Sequence, residues 1–138
     1  MTLVLLFLCF NINAQESDLF VGLWRCRTPD PSTDMYISIN KIAEKEYFII
    51  YVNPFWYHDF DYAEQGKLTE DGYVKINNGK RNYYLNFSKF GRLVQFIGSF
   101  NDPHPLLFSR VTNNKMDLNK IRTVDEFLEY IKSNNTDL

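Results

Sequence analysis

Residues 73–87 read YVKINNGKRNYYLNF. Two short alternating runs, 73–76 and 81–87, flank Asn78-Gly79. That dipeptide is the strongest short signal for a tight β-hairpin, because the favoured turn needs positive φ at both central positions. On the second run Tyr83, Leu85 and Phe87 share one face, since successive strand side chains point to opposite sides. A lone hairpin is marginal in water, so this one requires further strands with a common apolar face.

The same signature recurs on both sides. Residues 22–27 (GLWRCR), 34–41 (DMYISINK), 46–52 (EYFIIYV), 59–68 (DFDYAEQGKL), 92–100 (RLVQFIGSF) and 106–111 (LLFSRV) all read as strands. Period-two alternation groups Met35 with Ile37 and Ile39, and sets Phe60, Tyr62 and Leu68 against Asp61, Gln65 and Lys67. It groups Val94 with Phe96, Gly98 and Phe100, and Leu106 with Phe108 and Arg110. Asp71-Gly72 and Phe90-Gly91 mark turns, and 29–32 (PDPS) and 102–105 (DPHP) mark loops in which proline fixes φ and removes a donor. Eight strands with hairpin-length links predict an all-β, antiparallel up-and-down meander. Closure into an eight-stranded barrel removes its two edges. A sandwich or jelly roll is the alternative.

The period changes at the C-terminus. Thr123 and Glu126 form a capping box. Val124, Phe127, Leu128 and Ile131 then recur at helical spacing, which predicts a helix over about 123–133. A helix of this length is marginal alone, so it should dock on the outside of the barrel.

The chain has 138 residues, enough for one domain with a real core. It is 45% hydrophobic and 23% charged, which excludes a disordered chain, and its net charge of −2 argues against an electrostatic nucleic-acid binder. Residues 2–10 (TLVLLFLCF) are too few to span a bilayer, which takes about 20 apolar residues. They read as the apolar region of a signal peptide occupying 1–14, with Gln15 opening a single domain over 15–138. Ile12 stands where a small residue is usual, and no basic segment precedes the run. Lipidation at Cys9 and a buried N-terminal strand are the alternatives. The expected location is periplasmic or secreted, with no transmembrane span. Cys26 is then left alone and reads as a small buried hydrophobe. There is no Gly-x-Ser-x-Gly, phosphate loop or His-Glu-x-x-His, so neither enzyme nor cofactor is expected.

Gly22-Leu23-Trp24 at the first strand and Phe108-Ser109-Arg110 at the last resemble the lipocalin-like superfamily, in particular its short, divergent bacterial members. The second common motif of that superfamily, Thr-Asp-x-Tyr, is absent, and its barrel-to-helix disulfide cannot form. The resemblance implies that Trp24 plugs the closed end of the barrel while Arg110 packs across its ring. It also implies that the opposite end is a ligand mouth.

In an up-and-down barrel the loops 28–33, 53–58, 77–80 and 101–105 share one rim. That rim holds three consecutive aromatics, Phe55, Trp56 and Tyr57, and both histidines, His58 and His104. A loop with three rings reads as a lid or stacking platform, or as a local core over the barrel end. His58, Asp59, Asp102 and His104 could make a divalent-metal site, but their spacing does not demand one. The inward rings Tyr62, Tyr83, Phe87, Phe96, Phe100 and Phe108 leave room for a small cavity only. The expected function is binding of a small apolar or amphipathic ligand through Phe55, Trp56, Tyr57, Tyr62, Tyr83 and Phe96. The alternative is an envelope protein-interaction module, inhibitor or accessory subunit, with a filled barrel.

Overall fold

The eight alternating runs fold as eight strands: β1 (Gly22–Cys26), β2 (Met35–Ala43), β3 (Glu46–Val52), β4 (Ala63–Leu68), β5 (Val74–Asn77), β6 (Asn82–Phe87), β7 (Leu93–Ile97) and β8 (Leu106–Thr112). A single 3-10 turn at Pro31–Thr33 interrupts the β1–β2 link, and a helix, α1 (Val124–Asn134), follows the last strand. The computed structural model describes residues 18–52, 63–77, 79–114, 116–117 and 120–134. Every strand is antiparallel to its sequence neighbours, and β8 returns to β1, so the sheet closes into a barrel.

The barrel buries two apolar layers. Inside, Trp24, Ile37, Ile39, Ile49, Val74, Ile76, Leu85, Leu93 and Phe108 make one continuous core. Outside, Leu23, Tyr36, Ile50 and Val52 on β1–β3 form a second face, covered by Met116, Ile121, Phe127 and Ile131. The outward residues of β1–β3 are therefore apolar for a reason: α1 sits on them. Phe127 meets Tyr36 edge-on at 5.3 Å between ring centres. The capping box forms as its spacing requires. The Glu126 N–H donates to Thr123 Oγ1 at 3.2 Å, and Glu126 Oε2 accepts from the Thr123 N–H at 3.3 Å. The buried stripe is narrower than its sequence spacing, because Leu128 lies at the edge and is 37% exposed.

One strand faces the other way from its expected reading. Val94 and Phe96 point outward, and Phe100 lies beyond the end of β7. The cause is the length of the preceding turn. The Ser88 N–H donates to the Arg92 carbonyl and the Gly91 N–H to the Ser88 carbonyl, which sets Leu93 opposite Phe87. Cross-strand partners share a face, so Leu93 and Gln95 go inward, and a shift of one residue inverts the rest. The displaced rings pack on each other outside, with Phe100 at 5.1 Å from Phe96, 4.9 Å from Tyr84 and 4.8 Å from Tyr73.

Candidate functional site

The closed end is built from the chain before β1. Trp24 is fully buried, and the Arg110 guanidinium lies 4.0 Å from the centre of its ring. Trp24 and Arg110 are register partners across the β1–β8 seam, 86 positions apart in sequence (110 − 24). The guanidinium also donates to the carbonyls of Val21 (2.8 Å) and Leu19 (2.5 Å), tying the incoming segment to the last strand. Gly22 has φ +141, and a Cβ there would fall 2.4 Å from the Thr112 carbonyl oxygen and 2.8 Å from Arg110 Nη1. Both its conformation and its missing side chain are required for that approach.

Sequence reasoning missed three residues of this floor. Phe20 packs against Phe87 at 4.6 Å and Tyr47 at 5.7 Å, and its carbonyl accepts the indole N–H of Trp24 at 3.0 Å. Tyr47 donates to Asp18 at 2.6 Å, and Lys41 pairs with the same carboxylate at 3.2 Å. Burial pushes the Asp18 carboxyl up, but the Tyr47 hydroxyl, the Phe20 N–H and Lys41 together hold it below its ordinary value. Burial first, and the bond to the Asp18 carboxylate second, push the Tyr47 hydroxyl up. The parity of Tyr47 with Ile49 could have revealed its inward direction. Nothing local marked Asp18 or Phe20, because their partners are distant in sequence.

The lower lumen is filled to contact. A Cβ on Gly66 would fall 2.6 Å from Val74 and 2.9 Å from Ile49, so neighbouring side chains already occupy its place. Towards the open end Cys26, Met35, Tyr83 and Leu106 are only partly buried, as are Val21, Leu68 and Phe87 towards the closed end, while Tyr51 is buried. Two polar side chains join them. Glu64 stands opposite Ile49, and Gln95 stands between Leu85 and Leu106, so both face the lumen. Glu64 Oε2 and Gln95 Oε1 are buried with no hydrogen-bond partner among the described residues. The parity of Glu64 with Leu68 was visible in sequence; that of Gln95 depended on the β6–β7 register.

The expected site residues divide. Tyr83 faces the lumen between Ile76 and Ile97. Phe96 does not, because it belongs to the outer ring cluster. Phe55, Trp56, Tyr57 and Tyr62 lie outside the described residues, as do His58 and Asp59. His104 is exposed, and its N–H donates to Asp102, which also accepts from Ile97. Those two bonds hold the Asp102 carboxyl below its ordinary value. Among the described residues no group of three His, Cys, Asp or Glu side chains could hold a metal ion. The Cys26 thiol is pushed up by burial and by the Asp34 carboxylate, the reverse of what a reactive thiol needs.

The rim loop after β1 is held rigidly. The Asp34 carboxylate accepts the Thr28 N–H at 2.8 Å and faces Arg25 at 3.7 Å, both side chains being buried. Two depressions lie outside the barrel. One, of about 320 Å³, borders Arg110 and Asp18. The other, of about 680 Å³, runs along α1, where Ile121 and Tyr130 form its apolar wall and Asp117, Lys120, Asp125 and Glu129 its charged border. No helix among the described residues is long and apolar enough to cross a membrane. Comparison with family models, with curated proteins and with solved structures returns no match.

Proposed function

We propose that this chain is an exported, lipocalin-like binding protein that takes a small apolar or amphipathic ligand into the open half of its barrel. One observation supports the reading: two acceptor oxygens, on Glu64 and Gln95, unpartnered among the described residues, face an otherwise apolar lumen. The floor of Phe20, Trp24, Tyr47 and Phe87 is closed. The opposite half holds partly buried apolar side chains together with the unpartnered Glu64 and Gln95 oxygens. Small barrels hold ligands at such a mouth, where apolar walls meet a few polar groups. Residues 1–14 would direct export and be removed, leaving Gln15 at the N-terminus, in the periplasm or outside the cell. The chemistry required is binding, with no catalysis and no cofactor.

Native mass spectrometry of the gently extracted protein tests this. The expected result is a co-purifying small molecule that is lost on denaturation. A ligand-free protein whose crystal structure has a solid lumen overturns it. An intact mass that retains residues 1–14 in the exported fraction would remove the signal-peptide assignment.

The outward cluster of Tyr73, Tyr84, Phe96 and Phe100 favours a second reading, an envelope protein-interaction module. Phe100 is 43% exposed and the nearby outer residue Leu107 is 46% exposed. Apolar rings grouped on a strand surface are a common mark of association. Replacing Phe96 and Phe100 by serine should then remove partners from a pull-down profile, and an unaltered profile counts against this reading.

A further inference from the structure

We infer that the ligand of the open half carries an organic amine on an apolar body, with the amine held by the Glu64 carboxylate. The inference rests on the lumen being a binding site, and it names the head group that site would take. Glu64 is opposite Ile49, which is fully buried in the inner core, so its carboxylate shares the lumen face. Its Oε2 is shut from solvent and receives no donor among the described residues. Gln95 is 4% exposed, and its Oε1 is in the same state. Two orphaned acceptors in one apolar lumen call for a donor, and a half-buried carboxylate with one oxygen shut from solvent is best met by a charged one.

Among the described residues no ion pair is made with Glu64. Arg110 sits at the closed end, committed to Trp24 and to two carbonyls, and Arg81, on the parity of Tyr83 at the mouth, is exposed and has a partner of its own. Lys41 pairs with Asp18 at the same end. Lys67 and Lys75 are register partners on the outer face, and Arg25 lies outward against Asp34. Tyr83, half-buried on the lumen face, offers a ring to a cation. A carboxylate head group would instead meet like charge, and a purely apolar ligand would leave both acceptors unsatisfied.

Three probes with the same tail, decylammonium, decanol and decanoate, separate these outcomes by calorimetric titration of the full chain below their micelle concentrations. Decylammonium should bind at least about tenfold more tightly than decanoate. Glu64→Gln should lower decylammonium affinity about tenfold while decanol changes by less than about threefold. Glu129→Gln, an exposed carboxylate on α1, should change neither. A flat or reversed head-group order in the wild type overturns the inference, and that comparison stands even if Glu64→Gln fails to fold. Equal effects of Glu64→Gln and Glu129→Gln overturn it too, by assigning the amine to the protein surface. Silence of all three probes brings down the ligand-binding reading itself. Tight decanol or decanoate binding without amine preference brings down the head-group inference alone.

Discussion

Trp24 and Arg110 do three jobs that a single apolar pair could not. The indole fills the floor of the lumen, its N–H satisfies the Phe20 carbonyl, and the guanidinium covers its face while bonding Val21 and Leu19. Trp24→Ala leaves a cavity that the ring packing around Phe87 cannot close, and should cost about 3 to 5 kcal/mol. Against a typical total of about 5 to 15 kcal/mol, that loss could leave the domain only marginally folded. Arg110→Lys keeps the charge but not the flat fork, so it loses the stacking and one of two carbonyl bonds. It should lower stability by about 1 to 3 kcal/mol. Urea titration of the two variants checks both, and an Arg110→Lys midpoint equal to wild type would show that the fork contributes nothing. The motif residues were legible only through the resemblance carried by Gly22-Leu23-Trp24 and Phe108-Ser109-Arg110, since nothing in their local spacing pairs residues 86 positions apart (110 − 24). The polar lining was less so: Glu64 shares the parity of Leu68 but by residue type reads as surface, and Gln95 is placed inward only by the β6–β7 register.

Each element forms for reasons its own sequence states, but the elements that close and cover the barrel depend on partners far away. The N-terminal plug is held by the Tyr47–Asp18–Lys41 group, whose strength depends on an ionised Asp18. Because the folded carboxyl lies below its ordinary value, its stabilising effect is full above the unfolded value of 3.8 and is lost as pH falls through the folded one. The urea midpoint should drop below about pH 4, and Asp18→Asn should flatten that limb. An unchanged slope in the variant would assign acid sensitivity elsewhere. At the other end of the chain, α1 is bound by its apolar stripe. Phe127 is fully buried, so Phe127→Ala should cost about 3 to 5 kcal/mol. Near-ultraviolet circular dichroism should show Tyr36 loosened with the barrel intact; loss of the far-ultraviolet strand signal at low denaturant would mean that the helix is part of the folding core. The helix itself was legible from its capping box and spacing. Its seat on β1–β3 was readable only as "outside", because Tyr36, Ile50 and Val52 alternate with equally apolar inward neighbours.

Closure is what makes the molecule one cooperative unit. The hairpins were legible because turn chemistry and alternation agree at almost every link, and the ring of eight follows from the cost of leaving two edges bare. The β7 face was not, because Val94, Phe96 and Phe100 are more apolar than Leu93 and Gln95, and only the 88–91 turn decides between them. A closed ring has no edge strand, so β1 and β8, though first and last in sequence, should behave as central strands. Their amides should then exchange with deuterium only through large openings, at rates close to those of the long β2–β3 ladder. The Trp24–Arg110 pair crosses this seam, where the register also shifts between Leu23 and Trp24, so the seam depends on it more than any other ladder does. Arg110→Lys should therefore accelerate exchange in β1 and β8 first, while β3 to β6 keep their protection. Wild-type β8 amides that exchange orders of magnitude faster than those of β3 would mean that the ring is open in solution. Uniform acceleration around the ring in Arg110→Lys would mean that the barrel opens only by unfolding as a whole.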